Sequence, residues 1–171
     1  TGPGLRCMLP ELGTLVGYAV TAEATPLHER ADAIDWTEYY DVLADADGPT
    51  IGVLTDVDSP SGRGAIMGDG MAYQHRALGC LGVIVDGSAR DVPGIREARC
   101  GLWATGRVPG HGPFNLVRHS VPVSVAGLII KPGDILVCDG DGVTRVPLEI
   151  AGQVLEMAAK VRAREKSMHE L

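Results

Sequence analysis

Aromatic residues are scarce in this chain of 171 residues, which has one Phe, two Trp and four Tyr against 23 Gly and 11 Pro. That balance, with 45% apolar residues, argues against a helical bundle and for many short aliphatic strands joined by tight turns. Long apolar runs are missing too. None approaches the roughly 20 residues of a membrane span, and the opening "TGPGLRCMLPEL" is not a secretory signal, so a soluble cytoplasmic protein is expected. Basic residues are outnumbered: the net charge is −7 and the pI about 5.1, which argues against a polyanion as main partner, and no nucleic acid is expected. The one dense basic run, "KVRAREK" (160–166), lies in a helical pattern beside Glu156, Glu165 and Glu170 and reads as a solvated or subunit-contacting face.

Several chemical signatures are also absent. Cys7, Cys80, Cys100 and Cys138 are far apart, match no metal spacing and read as reduced, mostly core residues. The five histidines form no HxH or HExxH pattern, the glycine loop has neither the Lys-Ser/Thr of a P-loop nor GxGxxG, and GxSxG does not occur. "CDGDGV" (138–143) lacks the spacing of a calcium loop and reads as a hairpin turn.

The length fits one α/β domain covering residues 1–171. Residues 13–26 read as a strand and residues 35–47 as an amphipathic helix capped by Asp35, with Trp36, Tyr39, Tyr40 and Leu43 on one face. Residues 50–57 form a second strand, followed by the glycine-rich loop "DSPSGRGAIMGDG", a helix from Met71 to about Leu78 stopped by Gly79, and the strand "LGVIVDG". Strand, loop, helix, strand is the order of a parallel βαβ crossover. After it, "GLWATGRV", "VPVSVAGLII", "DILVCDG" and "GVTRVP" suggest a meander or barrel-like sheet. A long helix over about residues 148–171 closes the chain, with Ile150, Val154, Leu155, Ala158 and Val161 on one face.

Two places carry chemistry. Gly68, Asp69, Gly70 and Met71 open a helix, so their N–H groups can hold an anion such as a carboxylate; alternatively the glycines only make the turn. "VIVDGSARD" delivers Arg90 and Asp91 to the carboxyl end of a buried strand. There Arg90 can fork onto a ligand carboxylate and Asp91 can ligate a hard cation, or the two can form a purely structural pair with Asp91 capping a short helix near Pro93.

The stretches "GDGMAYQHRALGCLGVIVDGSARDVPGI", "VPVSVAGLIIKPGDILVCDGDGVTRVP" and "GTLVGYAVTAEATP" together resemble the RraA-like family, which includes class II pyruvate aldolases acting on 4-hydroxy-4-methyl-2-oxoglutarate and 4-carboxy-4-hydroxy-2-oxoadipate. The resemblance implies a three-layer β/β/α sandwich with a C-terminal helix, assembled as a homotrimer or as a hexamer of two trimers. It implies that Arg90 binds the pyruvyl carboxylate and keto oxygen, that Asp91 holds magnesium, manganese or another divalent metal, and that Asp69 organises water beside that metal. By the same resemblance the Gly70 and Met71 amides receive the substrate carboxylate, and Glu165 matches a glutamate that reaches the site from a neighbouring subunit's C-terminal helix. The implied reaction is retro-aldol cleavage of a 4-hydroxy-2-oxo acid, with oxaloacetate decarboxylation as side activity.

The chain departs from the family in two respects. Helices that usually precede the first strand are not here, and the chain opens on Thr rather than Met, which leaves a start upstream open. "GRVPGHGPFNLVRHS" contributes Arg107, His111 and Arg118, for which the resemblance gives no role. Two other functions remain on the same scaffold: a protein-binding regulator of ribonuclease activity, which resembles shorter chains without the last helix, and a sugar-acid lyase. A menaquinone methyltransferase gains no support, because no methyl-donor fingerprint follows the first strand.

Overall fold

A computed structural model describes residues 1–169, with the side chain of His169 excepted; the expected end of the last helix, including Glu170, lies outside the described residues. In chain order the elements are β1 (Arg6–Cys7), β2 (Leu15–Thr25), α1 (Trp36–Ala44), β3 (Thr50–Asp56), β4 (Ala65–Met67), α2 (Asp69–Ala77), β5 (Cys80–Ala89), α3 (Val92–Glu97), β6 (Gly101–Arg107), β7 (Asn115–His119), β8 (Val123–Val125), β9 (Leu128–Ile130), β10 (Ile135–Cys138), β11 (Val143–Val146) and α4 (Ala151–His169).

β2, β3, β5 and β6 lie parallel in the spatial order β6-β5-β3-β2, the product of successive crossovers. Asp35 caps α1 as expected, its carboxylate accepting from Thr37 N–H at 2.8 Å, and Gly79, at φ 82°, follows the end of α2.

Most strands of the second half join the sheet of the first half. β6 joins the parallel sheet, while β10 and β7 both pair antiparallel with β2, along its first and last residues respectively. Residues 121–130, expected as one strand, fold into the hairpin β8–β9, because Ala126 and Gly127 both take positive φ and reverse the chain. The central sheet therefore has two dissimilar faces. On one, Val20, Ala22, Leu54, Val83 and Val85 pack against Tyr39, Leu43, Ala72 and Ile95 of the helices. On the other, Ala19, Ile51, Val53, Ile84 and Trp103 pack against Val123, Val125 and Ile130 of the hairpin. Alternation along each strand feeds both cores, and the layers are those of a β/β/α sandwich. Each fully buried aliphatic residue contributes about 1.5–3 kcal/mol.

All four cysteines are free thiols; burial pushes Cys100 and Cys138 up to about 12, so they are inert packing residues. No helix among the described residues is long and apolar enough to cross a membrane. α4 follows a single 3-10 turn and runs out from the body. Its apolar side chains stay exposed, Leu155 by 76% and Met157 by 58%.

Candidate active site

The carboxyl ends of the parallel strands share one sheet edge, where open α/β folds place their ligands. β5 ends at Ala89, and Arg90 and Asp91 make the corner into α3. Arg90 N–H donates to the Met67 carbonyl at 2.8 Å, which ties this corner to β4. Asp91 turns the chain by adopting left-handed backbone, φ 54° and ψ 36°, a conformation that Asp and Asn tolerate better than most residues. It occupies the N-cap position of α3, yet its side chain makes no capping bond. The carboxylate instead meets Arg90 Nε at 3.1 Å, and both side chains remain partly exposed, 37% for Arg90 and 45% for Asp91. A strand thus ends on a charged pair whose polar heads face the sheet edge rather than the backbone.

β4 leads through Gly68 into α2. Gly68 has no side chain to cap the helix, which leaves the first-turn N–H groups to other acceptors. Asp69 supplies one: its Oδ1 accepts from Gly70 N–H at 2.7 Å. The Gly70 amide is thus met by its neighbour's carboxylate, an acidic side chain drawn to the positive end of its own helix. Met71 N–H has no acceptor among the described residues. Asp69 is set closely against α3, and only glycine fits at position 94: a Cβ there would lie 2.6 Å from Asp69 Cβ and 2.8 Å from its Oδ2.

α2 is held from below by a buried pair. His75 Nδ1 donates to the Met71 carbonyl at 2.7 Å, which leaves Nε2 to accept from the Tyr39 hydroxyl at 3.0 Å. Both side chains are fully buried, and burial pushes the His75 imidazole down to about 4, so it is neutral at pH 7. Gly52 makes room for the pair, because a Cβ there would lie 2.7 Å from the Tyr39 hydroxyl.

A cavity of about 230 Å³ lies against these residues, lined by Gly68, Asp69, Gly70, Met71 and Arg90, with Ala65–Met67 as its floor and His111 and Phe114 as a further wall. A second cleft of about 350 Å³ shares Arg90 and is lined by Asp91, Pro93 and Arg107. The sequence-expected residues Asp69, Gly70, Met71 and Arg90 are thus brought together, with Asp91 next to Arg90. Arg107 borders the second cleft. Arg118 does not belong here: it pairs with Glu23 at 2.5 Å in a separate cleft with Arg30 and Asp32. Glu165 lies on α4 and lines neither cavity within one chain. Phe114 was not anticipated from the sequence; its signal was being the one Phe in the chain, next to the glycine- and histidine-containing loop.

No group of three or more His, Cys, Asp and Glu side chains gathers among the described residues, which does not suit a metal held wholly by protein. Asp69 in the first cavity and Asp91 in the second, on either side of Arg90, do suit magnesium or manganese, hard cations that keep most of their waters and need one or two oxygen ligands. Asp91 is partly exposed, and Asp69 Oδ2 accepts no hydrogen bond among the described residues.

Comparison with known proteins gives a consistent picture. The RraA-like family model (Aldolase/RraA) matches residues 1–145, and α4 lies beyond that match. An uncharacterized protein of Methanocaldococcus jannaschii is 32% identical over 62% of this chain and 51% of its own length. A Halalkalibacterium halodurans protein, provisionally named a 4-hydroxy-4-methyl-2-oxoglutarate aldolase, is 32% identical over 60% of this chain and 50% of its own. The chain thus spans about half the length of these curated relatives. Among solved structures, Streptomyces coelicolor RraAS2, described as an unusual member of the RNase ES inhibitor RraA protein family, superposes with a TM-score of 0.78 at 26% identity, covering 98% of this chain and 81% of that one.

Proposed function

The chain belongs to the RraA-like family, and from that premise we propose that it is a divalent-metal-dependent carbon–carbon lyase, cleaving a 4-hydroxy-2-oxo acid to pyruvate and a second oxo acid. One observation carries this: Asp69 and Arg90 line one cavity beside the open Met71 amide, and Asp91 meets Arg90 at 3.1 Å, so a cation and an N–H suited to an enolate lie next to carboxylates suited to a metal. Arg90 forks onto the pyruvyl carboxylate and keto oxygen, and Met71 N–H takes the carboxylate from the helix side. Asp91 would ligate magnesium or manganese, with Asp69 ordering water beside it. When bound, the cation supplies Lewis-acid polarisation of the keto group.

As the C3–C4 bond breaks, its electron pair passes to C3–C2 and negative charge gathers on the keto oxygen facing the Arg90 guanidinium. The C4 hydroxyl proton is lost, the second oxo acid leaves, and C3 of the enolate is protonated to give pyruvate. Oxaloacetate decarboxylation passes through the same enolate and follows as side activity. The exposed apolar residues of α4 support assembly as a trimer or hexamer, in which one copy's helix brings Glu165 to another's site. Magnesium-dependent pyruvate release from 4-hydroxy-4-methyl-2-oxoglutarate, lost in Arg90→Ala with the fold retained, tests the proposal; release unaffected by Arg90→Ala contradicts it. A ribonuclease regulator is the second reading, favoured by the likeness to the Streptomyces structure; capture of an RNA-degrading complex by a chain with no turnover would support it. Turnover of a sugar acid instead of the aldol substrate would point to the third scaffold use, a sugar-acid lyase.

A further inference from the structure

The lyase chemistry moves a proton twice, off the C4 hydroxyl and onto C3, and the residues assigned so far leave that proton without a carrier. We propose that His111 is that carrier: a further catalytic residue whose Nε2 takes the C4 hydroxyl proton and returns it to C3 of the enolate. This rests on the lyase reading above.

Three observations place it. His111 lines the same cavity as Arg90 and the first turn of α2, and the charged side chains it shares that cavity with are Asp69 and Arg90. Its Nδ1 donates to the Gly112 carbonyl at 2.8 Å, since a carbonyl can only accept. In the neutral ring that leaves the lone pair on Nε2, which has no partner among the described residues. The loop that carries it is tethered on both sides. Gly110 O accepts from Ala65 N–H at 2.9 Å and Gly112 N–H donates to Pro26 O at 2.7 Å. Phe114 stacks on Trp36 at 4.8 Å between ring centroids, its carbonyl accepts from Trp36 Nε1 at 3.3 Å, and the His111 ring packs against Phe114 at 5.0 Å. An exposed histidine with no site to serve does not need a loop anchored at three points, whereas a proton carrier must be held within hydrogen-bond reach of its substrate.

The proton balance is closed. Nε2 accepts the hydroxyl proton as the C4 oxygen becomes a carbonyl; the C3–C4 pair becomes the enolate double bond; the protonated imidazole then gives the same proton to C3 and returns to its starting form. Decarboxylation of oxaloacetate has no hydroxyl to deprotonate, so its cleavage step does not use His111, and the released enolate can be protonated by water.

The two reactions therefore separate the role of His111 from general damage. With magnesium present, His111→Gln is expected to lower kcat for 4-hydroxy-4-methyl-2-oxoglutarate cleavage by 10²- to 10⁴-fold, the usual scale of acid–base catalysis, and oxaloacetate decarboxylation by less than about tenfold on the same scale. Oxaloacetate turnover also reports that the variant is folded. Equal losses in both reactions, or no loss in either, overturn the role of His111 while leaving the lyase reading intact. No turnover of either substrate by the unaltered protein overturns both.

Discussion

Asp91 sits in a backbone conformation that few side chains tolerate, and this separates its structural role from its chemical one. Asn adopts left-handed backbone as readily as Asp, whereas Ala there costs about 1 kcal/mol more. Asp91→Asn is expected to unfold in urea within a few tenths of a kcal/mol of the parent yet to lose magnesium-dependent pyruvate release. An Asn variant that keeps full activity would remove Asp91 from the metal site. His75 sets a different dependence. Its imidazole is pushed down to about 4 by burial, while in the unfolded chain it takes up the proton near the ordinary imidazole value of 6.5. Stability from this group is thus full above pH 6.5 and is lost as pH falls toward 4, on the order of 2 kcal/mol by pH 5. Urea unfolding at pH 7 and pH 5 measures it, and His75→Gln should lose most of that slope.

At the scale of elements, the candidate site is the meeting of α2 and α3 at the end of β5. Gly94 sets their separation, because a side chain there would run into Asp69. Gly94→Ala is expected to displace Asp69 and to lower pyruvate release at least tenfold while costing about 1–3 kcal/mol of stability, seen as an activity loss larger than the shift in unfolding midpoint accounts for. Elements with a strong local period were legible in the sequence: the β-branched run of β2, the three-and-four spacing in α1, and the βαβ order that delivers Arg90 and Asp69 to one edge. β4 and β7 were not, being short strands whose pairing partners, β5 and β2, lie elsewhere in the chain. Across the β8–β9 hairpin the sequence reads as one strand because the turn begins on Ala126, a residue that gives no turn signal. Asp69 and Arg90 were found because residue type and chain order suffice for them. The capture of the Gly70 amide by Asp69 and the wall made by His111 and Phe114 depend on rotamers and on loop packing, which the sequence does not display.

For the whole molecule, α4 is the outlying piece: it exposes Leu155, Met157 and Val161 and carries Glu165 away from its own chain's cavity. If one copy's helix completes another's site, two inactive chains should complement each other. Mixing Arg90→Ala chains with Glu165→Gln chains, followed by unfolding and reassembly, is expected to restore roughly a quarter of the parent activity, because one in four sites then draws both intact residues from different chains. A monomeric mass in solution, or no recovery on mixing, would contradict the shared site. The most direct test of the central claim is pyruvate formation from 4-hydroxy-4-methyl-2-oxoglutarate and from oxaloacetate, followed with magnesium and again with a chelator. Turnover of both that requires magnesium and disappears in Arg90→Ala is the predicted result. A folded, magnesium-loaded protein that releases no pyruvate from either would contradict it.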